Sequence, residues 1–236
     1  MKTIAKIMIA ALMLSAVAAC GNRGGKKVQE EELTGTETTE TTPADSAAAA
    51  PEATAKAPLT IGNLPEEPLF DIVTNLGTIT VKLYKDTPKH RENFEKLALK
   101  GFYNGILFHR VIDGFMIQAG DPLTKDPSQQ PSWGTGGPGY TVPAEFVPEY
   151  VHKKGALAAA RRGDAANPLK ESSGSQFYLV QNEQTCRQLD GEYTVFGETV
   201  EGLKVIDEIA KVPRNERDVP RNPVKIIRIE VNKASL

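Results

Sequence analysis

Short runs in which apolar and polar residues alternate recur along residues 69–236. The clearest run covers residues 78–84, where Ile79, Val81 and Leu83 fall on every second position. A period of two places the apolar side chains on one face of a β-strand and the remaining side chains on the other. The pattern therefore predicts a strand that turns one face towards a core.

Other runs of the same kind follow along the chain. Further strands are predicted over residues 69–74, 156–160, 176–180, 193–197 and 223–231. In the last of these runs, Ile227, Ile229 and Val231 are expected to face the core, opposite to Arg228 and Glu230.

Two segments repeat their apolar residues at helical spacing instead. The first helix is predicted to begin at Pro88, with Thr87 as its N-cap, and to end before Gly101. The second covers residues 202–211. Strands dominate and turn-forming residues recur between them, so the order of elements predicts a mostly antiparallel sheet or barrel that carries two helices. The pattern does not distinguish a barrel from a sandwich.

Residues 1–19 have the pattern of a secretory signal peptide. Lys2 and Lys6 precede an apolar run over residues 7–17, which is too short to span a bilayer and is followed by small residues. We therefore expect this segment to be removed and to contribute nothing to the fold.

Cys20 is the first residue after this segment. Residues 17–20, Val-Ala-Ala-Cys, resemble the lipobox of bacterial lipoproteins. The resemblance implies that Cys20 is lipidated and anchors the protein in the bacterial cell envelope, at the outer membrane on its periplasmic face or at the cell surface. The alternative is an ordinary signal peptide with an incidental cysteine. If Cys20 carries lipid, Cys186 has no partner for an intrachain disulfide and is expected to be a structural thiol.

Residues 20–68 are predicted to form a disordered tether. They are rich in Thr, Glu, Ala and Pro, hold 4 basic and 9 acidic residues, and contain too few large apolar residues to offset the entropy of an ordered chain. Residues 69–236 form the remaining domain, with 22 basic and 21 acidic residues. This near-neutral charge argues against nucleic acid as the main partner.

One hairpin in this domain carries candidate chemistry. Arg110 and Gln118 lie an even number of residues apart, with a turn-forming Asp113-Gly114 pair between them. If the flanking runs pair, both side chains reach one face of the sheet, close to the apolar Phe115 and Met116. A cation, an amide and an apolar slot together indicate a binding site for a peptide.

Several other chemistries are disfavoured. His90, His109 and His152 lie far apart and lack neighbouring ligands at metal-binding spacing, so no metal is expected. Residues 134–139 match the G-x-G-x-x-G pattern but follow no strand and open no helix, which argues against a dinucleotide cofactor. Residues 173–175 lack the strand–turn–helix context of a nucleophile elbow.

Residues 108–121 closely resemble the signature of the cyclophilin family of peptidyl-prolyl isomerases. The resemblance extends from residue 69 to residue 231. It is carried also by residues 101–105, Gly-Phe-Tyr-Asn-Gly; 174–178, Gly-Ser-Gln-Phe-Tyr; 189–191, Leu-Asp-Gly; and 195–197, Val-Phe-Gly. It implies a mainly β fold, a closed eight-stranded antiparallel β-barrel capped by two α-helices.

The implied reaction is cis/trans isomerisation of X-Pro bonds without metal or cofactor. In this family the arginine of the Phe-His-Arg motif donates to the prolyl nitrogen, so the role falls to Arg110, with Gln118 holding the substrate backbone or orienting Arg110. Phe115, Met116, Tyr178 and Leu189 correspond to the proline pocket. His109, Ala160 and Gln176 correspond to the cleft lining, and Arg161 takes the position of a substrate-facing asparagine.

Three positions depart from the pattern of many cyclophilins. Gln188 stands where a Trp is common, which implies weaker cyclosporin binding, and Tyr193 stands where a His is common. Tyr178 replaces the commoner Phe and adds a hydroxyl that needs a partner. Residues 162–173 are longer than in short family members and are expected to reshape the mouth of the cleft.

The expected partners are proline-containing polypeptides, exported proteins above all, bound by a monomeric domain. The main alternative is a binding module or chaperone that holds Pro-containing chains without catalysis. The set of Arg110, Gln118, Phe115 and Met116 favours the enzyme. Because Phe115 and Met116 are adjacent, a regular strand would point them to opposite faces, and a bulge or turn is needed if both line the pocket.

Overall fold

The structure of the protein is a computed structural model that describes residues 60–236. The predicted signal peptide, the lipidation site at Cys20 and the tether up to residue 59 lie outside the described residues. None of the helices within residues 60–236 combines the length and the hydropathy needed to cross a bilayer.

The described residues form one sheet with three α-helices. The strands are β1 Leu69–Thr74, β2 Gly77–Leu83, β3 Arg110–Ile112, β4 Met116–Ala119, β5 Thr141–Val142, β6 Ala156–Arg161, β7 Ser172–Val180, β8 Val195–Glu201 and β9 Ile226–Val231. The helices are α1 Pro88–Leu99, the single turn α2 Glu183–Cys186, and α3 Leu203–Ala210. The element order predicted from the sequence, with two main helices among antiparallel strands, is confirmed.

The sheet is an open, curled half-barrel rather than a closed barrel. Its strands follow the order β3-β4-β7-β6-β8-β2-β1-β9, with β5 paired to β7 outside this path. Among the described residues, β3 and β9 share no ladder. The segment before β3 meets the start of β9 only through an isolated bridge between Leu107 and Lys225 and a few backbone hydrogen bonds, such as that from the Phe108 N–H to the Val224 carbonyl at 2.9 Å. The backbone N–H of Val111 in β3 donates to the carbonyl of Asp218 in a loop instead. The prediction of a closed eight-stranded barrel is therefore wrong, because a loop takes the edge that β9 would need.

Both main helices connect opposite flanks of this curled sheet. α1 packs against β9 and β7, while α3 packs against β2 at one end and against β3 and β4 at the other. Phe94 of α1 is buried between aromatic rings, in edge contacts with Phe70 on β1 at 5.8 Å and with Phe177 on β7 at 5.7 Å. Burying one such ring stabilises the fold by roughly 1.5–3 kcal/mol, so α1 holds the half-barrel together across its core.

One prediction for β9 is wrong in detail. Ile227 is exposed, whereas Ile226, Ile229 and Val231 are buried. The pairing of β9 with β1 shifts register where Val73 and Thr74 meet the start of β9. This irregularity interrupts the period of two, so the first apolar side chain of the run turns outward.

Residues 60–68, which the sequence assigns to the end of the tether, lie against the domain. Residues 61–63 form a 3-10 turn, and Leu64 packs on the core. The carbonyl of Glu66 accepts a hydrogen bond from the Arg91 guanidinium at 2.8 Å, and the carbonyl of Pro68 accepts one from the backbone of Leu83 at 3.0 Å. The chain thus contacts the domain before the first strand begins.

Among the buried titratable side chains of this fold, Glu95 and His109 have strongly shifted pKa values. Glu95 on α1 is buried near Arg91, with 3.5 Å between Oε1 and Nε, and burial raises its pKa to about 7. His109 is also buried, and within residues 60–236 neither ring nitrogen has a hydrogen-bond partner. Burial lowers the pKa of His109 to about 4, against a smaller opposing effect of Asp121.

These two groups should give opposite slopes of stability against pH. The unfolded chain binds more protons at residue 109 between pH 4 and 6.5, so His109 makes the free energy of unfolding rise with pH across that window. The folded chain binds more protons at residue 95 between pH 4.5 and 7, so Glu95 makes the free energy of unfolding fall as the pH rises. Each limiting slope is about 1.4 kcal/mol per pH unit.

Urea denaturation at several pH values tests this expectation. Relative to wild type, Glu95→Gln should become progressively more stable as the pH rises from 4.5 through 7. The free energy of unfolding of His109→Asn should fall relative to that of wild type as the pH rises from 4 to 6.5. Profiles of the two variants that run parallel to wild type would contradict the assignment.

Candidate active site

The hairpin of β3 and β4 brings the two candidate catalytic residues together. Its register pairs Arg110 with Gln118 and Ile112 with Met116, so Arg110 and Gln118 lie on one face, as their even spacing predicts. Gly114 forms the turn with a φ of +81°, a value that favours glycine. Its backbone N–H donates to Gln181 Oε1 at 2.6 Å, which holds the turn against the end of β7.

Gln118 is fixed by a second glutamine. Its Nε2 donates to Gln176 Oε1 at 3.0 Å, and Gln176 Nε2 donates to the carbonyls of Gly134 and Gly136 at 3.0 and 2.8 Å. In this orientation the Oε1 atom of the Gln118 amide remains available to accept a hydrogen bond from a ligand. Gln176 therefore connects Gln118 to the loop that contains Gly134 and Gly136.

Asp121 holds the glycine-rich loop that Gln176 contacts. The buried carboxylate accepts hydrogen bonds from the backbone N–H groups of Leu123, Gly134 and Gly136. A Cβ atom on Gly136 would lie 2.1 Å from Asp121 Oδ1, so only glycine fits there. Gly136 of the G-x-G-x-x-G segment serves this close approach, and sequence reasoning missed the role of Asp121.

A pocket of about 120 Å³, lined by both apolar and polar side chains, lies beside the hairpin. Most of the predicted site residues meet in it. The lining consists of Arg110, Phe115, Met116, Gln118, Ala160, Arg161, Tyr178, Leu189 and Tyr193.

Phe115 and Met116 both reach this pocket although they are adjacent in sequence. Met116 is the first residue of β4, whereas Phe115 still belongs to the turn, where its N–H donates to the carbonyl of Ile112 at 3.0 Å. The turn, and not a bulge, therefore resolves the conflict between neighbouring positions. The Arg110 guanidinium lies 6.0 Å from the centre of the Phe115 ring.

Arg110 is half-buried at the edge of the pocket. Across residues 60–236, its guanidinium makes neither a hydrogen bond nor an ion pair with another side chain or backbone group. An arginine retains its charge at all physiological pH values and presents several donors in a rigid plane. The pocket thus combines apolar walls with a cation whose donors are available to a ligand.

Tyr178 lies at the centre of β7, between Gln118 on β4 and Ala158 on β6. The ring is buried beneath the pocket, and its hydroxyl lies 2.8 Å from Nε2 of His152. Burial raises the pKa of Tyr178 well above its usual value, so the phenol stays neutral. The structure thereby supplies the partner that the extra hydroxyl needs.

Two of the predicted substrate-binding residues, His109 and Gln188, line neither pocket of the site. His109 directly precedes β3 and is buried beside the glycine-rich loop. Gln188 is exposed on a 3-10 turn, where its amide donates to the carbonyl of Thr185 at 3.2 Å. Contact of these two side chains with a substrate therefore stays a prediction, and the linings of the two cavities do not include them.

Arg161 lines the pocket as a clamp rather than as a free substrate donor. Its Nε donates to the carbonyl of Glu192 at 2.8 Å, and an Nη atom donates to Asp164 Oδ1 at 2.5 Å. The guanidinium stacks over the Tyr193 ring at 4.5 Å, and its side chain is only 4 % exposed. The position that the family resemblance assigns to a substrate-facing asparagine is therefore occupied by Arg161, which forms part of the pocket wall. Its guanidinium donates to acceptors of the protein itself.

A second cavity of about 640 Å³ opens beyond Gln118 and Arg161. One wall is the loop 162–171, the segment expected to reshape the mouth. Lys170 Nζ in this loop lies 2.5 Å from Glu192 Oε2, so Glu192 is bound by Lys170 as well as by Arg161. The loop and the wall of the small pocket are thus joined by ion pairs that the sequence pattern did not reveal.

Two nucleophile candidates are sealed in the interior. Cys186 is buried, and burial raises the pKa of its thiol to about 12, so it is not a thiolate. Ser172 lies 2.9 Å from His90 Nε2, whose Nδ1 lies 2.6 Å from Glu145. This order of groups matches a hydrolase triad, but Ser172 is only 1 % exposed. Glu145 also accepts the N–H groups of Lys89 and His90, so the cluster ties the start of α1 to β7.

Comparisons with known proteins agree with this geometry. The family model described as cyclophilin type peptidyl-prolyl cis-trans isomerase/CLD matches residues 69–231. A peptidyl-prolyl cis-trans isomerase of Helicobacter pylori is 42 % identical over 58 % of the chain and 77 % of that protein. Peptidyl-prolyl cis-trans isomerase-like 1 of Aspergillus fumigatus is 36 % identical over 69 % of the chain and 93 % of that protein. The like-2 protein of Rhizopus delemar is also 36 % identical, but the match spans only 28 % of its length.

Solved structures show the same fold. A cyclophilin type peptidyl-prolyl cis-trans isomerase of Cryptosporidium parvum superimposes with a TM-score of 0.62 at 28 % identity, covering 71 % of this chain and 98 % of that one. A second crystal structure of that protein, in the presence of the dipeptide ala-pro, gives a TM-score of 0.61 at 28 % identity and covers 70 % and 99 % of the two chains. The chain belongs to the cyclophilin family of peptidyl-prolyl cis-trans isomerases.

Proposed function

We propose that this domain isomerises X-Pro bonds of exported polypeptides at the pocket between β3, β4 and β7, with Arg110 as the catalytic residue. The observation that carries the proposal is the Arg110 guanidinium, which stands without a protein partner in the described part of the chain at the edge of the pocket of about 120 Å³. The pocket would take the prolyl ring, and the guanidinium would face its nitrogen.

The chemistry requires no covalent intermediate. Rotation about the peptide bond faces a barrier of about 18–20 kcal/mol because it breaks the conjugation of the nitrogen with the carbonyl. In the twisted transition state the prolyl nitrogen regains a lone pair, which the planar ground state lacks. A donor aimed at this nitrogen stabilises the transition state more than the ground state, and catalysis requires that difference.

Each remaining pocket residue has a role that follows from its contacts. Phe115, Met116 and Leu189 give the prolyl ring apolar surface to bury, at roughly 25 cal/mol per Å². Gln118 offers its Oε1 atom to a backbone N–H of the substrate, because one N–H of its amide donates to Gln176 and fixes the orientation of the group. Binding the backbone beside the pocket would hold the X-Pro bond under Arg110.

The location of the enzyme is a further part of the proposal. We infer that Cys20 carries lipid and that residues 21–59 let a monomeric domain reach chains emerging at the bacterial envelope. The pattern of residues 1–20 and the acidic composition of the tether support this. Exported chains contain X-Pro bonds whose slow isomerisation limits folding, so an isomerase held there would assist folding.

Removal of the guanidinium should abolish most of the activity. We expect Arg110→Ala to lower kcat/KM for an Ala-Pro tetrapeptide by about a hundredfold or more, the range seen when one transition-state donor is removed. Arg110→Lys should recover only part of the loss, since an ammonium lacks the planar set of donors. Protease-coupled isomerisation by the full-length protein measures both.

Arg228→Ala is the matched control, because this exposed arginine on β9 pairs only with Glu230 and lies outside the pocket lining. It should keep the wild-type rate. Suppression of client aggregation that survives Arg110→Ala, with no isomerisation by wild type, would favour a peptide-binding module instead.

The Arg161 clamp gives a second expectation. Arg161→Ala should lower kcat/KM about tenfold, mainly through KM, because charged hydrogen bonds worth about 1.5–3 kcal/mol hold the pocket wall to the loop 162–171. Glu192→Gln should cause part of the same loss, and the double variant should lose less than the sum of the two free energies. Additive losses in full kinetic analysis would show that the two residues act separately.

The anchor can be tested independently of catalysis. In a bacterial host, the wild-type chain should incorporate labelled palmitate and sediment with membranes. Cys20→Ala should lose both properties while the isomerase activity per molecule stays the same. Membrane association of an unlabelled Cys20→Ala variant would contradict lipid anchoring.

A further inference from the structure

A chain of three hydrogen-bonded polar groups, in which Tyr178 and His152 are buried and Asp190 is partly exposed, lies directly behind the proline pocket. The Tyr178 hydroxyl is 2.8 Å from His152 Nε2, and His152 Nδ1 is 2.7 Å from Asp190 Oδ1. The backbone N–H of His152 donates to the same Asp190 oxygen at 2.8 Å. The His152 side chain is fully buried, and its ring lies nearly parallel to that of Tyr178.

The order of these groups fixes where each proton lies. An ionised carboxylate only accepts hydrogen bonds, so Nδ1 of His152 carries the proton towards Asp190. Nε2 of the neutral ring is then an acceptor, and the Tyr178 hydroxyl must donate to it. Burial lowers the pKa of His152 against the opposing effect of Asp190, which agrees with a neutral ring.

This arrangement turns the polar end of Tyr178 away from the pocket. The ring remains as its apolar floor, while the hydroxyl is satisfied on the far side. Asp190 directly follows Leu189 and lies three positions before Tyr193, both of which line the pocket. The three groups thus connect the floor of the pocket to its wall.

We propose that His152 and Asp190 are positioning residues of the isomerase, which hold the Tyr178 hydroxyl behind the pocket so that an apolar floor of fixed position meets the prolyl ring. The inference rests on the site proposed above. It assigns a function to two side chains that touch no substrate.

The chain offers a matched control in a second buried cluster. His90 lies between Glu145 and Ser172 with the same order of carboxylate, imidazole and hydroxyl, at 2.6 and 2.9 Å. None of the three lines either pocket of the site. Substitutions in this cluster disturb a hydrogen-bond chain of the same kind, also centred on a buried histidine, without touching the floor.

The test is a double-mutant comparison in the full-length protein, read as kcat and KM by NMR exchange on a Pro-containing peptide. His152→Leu should lower kcat/KM about tenfold, mainly through KM, because the hydroxyl of Tyr178 loses its acceptor. In a Tyr178→Phe background the same substitution should change kcat/KM less than twofold, since no hydroxyl remains to be held. His152→Gln, whose amide oxygen can accept the hydroxyl, should recover part of the loss.

The control variants separate positioning from stability. His90→Leu and Ser172→Ala should lower the midpoint of urea unfolding, as His152→Leu does, and leave kcat/KM within twofold of wild type. Equal loss of kcat/KM from His152→Leu in both backgrounds, or no loss in either, would overturn the inference.

A spectroscopic measurement decides the hydrogen-bond order without reference to catalysis. In the ¹⁵N spectrum of the imidazoles, Nε2 of His152 should have the shift of an unprotonated acceptor and should move when Tyr178 becomes Phe. A protonated Nε2 would overturn the inference. An inactive wild type would instead count against the proposed function, and Arg110→Ala beside the His152 variants distinguishes the two failures.

Discussion

The antiparallel register between β4 and β7 is the constraint on which the site depends. It sets Gln118 beside Tyr178, and the pairing of β3 with β4 then sets Arg110 beside Gln118. Side chains alternate between the two faces of a strand, so a slip of one residue would turn all of these groups to the opposite side. β7 also pairs with β5 and β6, and this central position leaves it little freedom to slip. The geometry of the pocket is thus a property of the sheet rather than of its loops.

Local pattern accounts for much of this structure, and long-range contact accounts for the rest. The period of two in β2, the start of α1 at Pro88 and the turn at Asp113-Gly114 are encoded within a few residues, and these elements could be predicted. Thr87 precedes α1 as predicted, but its hydroxyl donates to the Tyr84 carbonyl and does not cap the helix. The open edge could not, because it depends on the loop at Asp218 reaching β3. The clamp on Arg161 was also missed, since its partner Glu192 is remote in sequence. Family resemblance located the pocket residues but not the direction in which each donor points.

Buried polar chains hold the loops around the site in place of disulfides. Asp121 gathers the backbone N–H groups of the glycine-rich loop, and His152 and His90 each connect a carboxylate to a hydroxyl. In a low-dielectric interior such chains are strong only when every member has a partner. His109 is different, since within residues 60–236 both of its buried ring nitrogens lack one. Rigidity around the pocket therefore comes from satisfied networks, whereas His109 carries the cost of two unsatisfied ring nitrogens.

The covered ends of the sheet restrict how an unfolded polypeptide can engage this domain. The short strand β3 already gives the Val111 N–H to the loop at Asp218, and β9 carries the charged pair of Arg228 and Glu230 near its end. Neither end offers a long, apolar run of free backbone groups on which an incoming chain could extend the sheet. A polypeptide substrate would have to meet the domain through single prolines at the pocket, without templated strand addition. Release after each isomerisation then requires no separation of a shared ladder of strand hydrogen bonds.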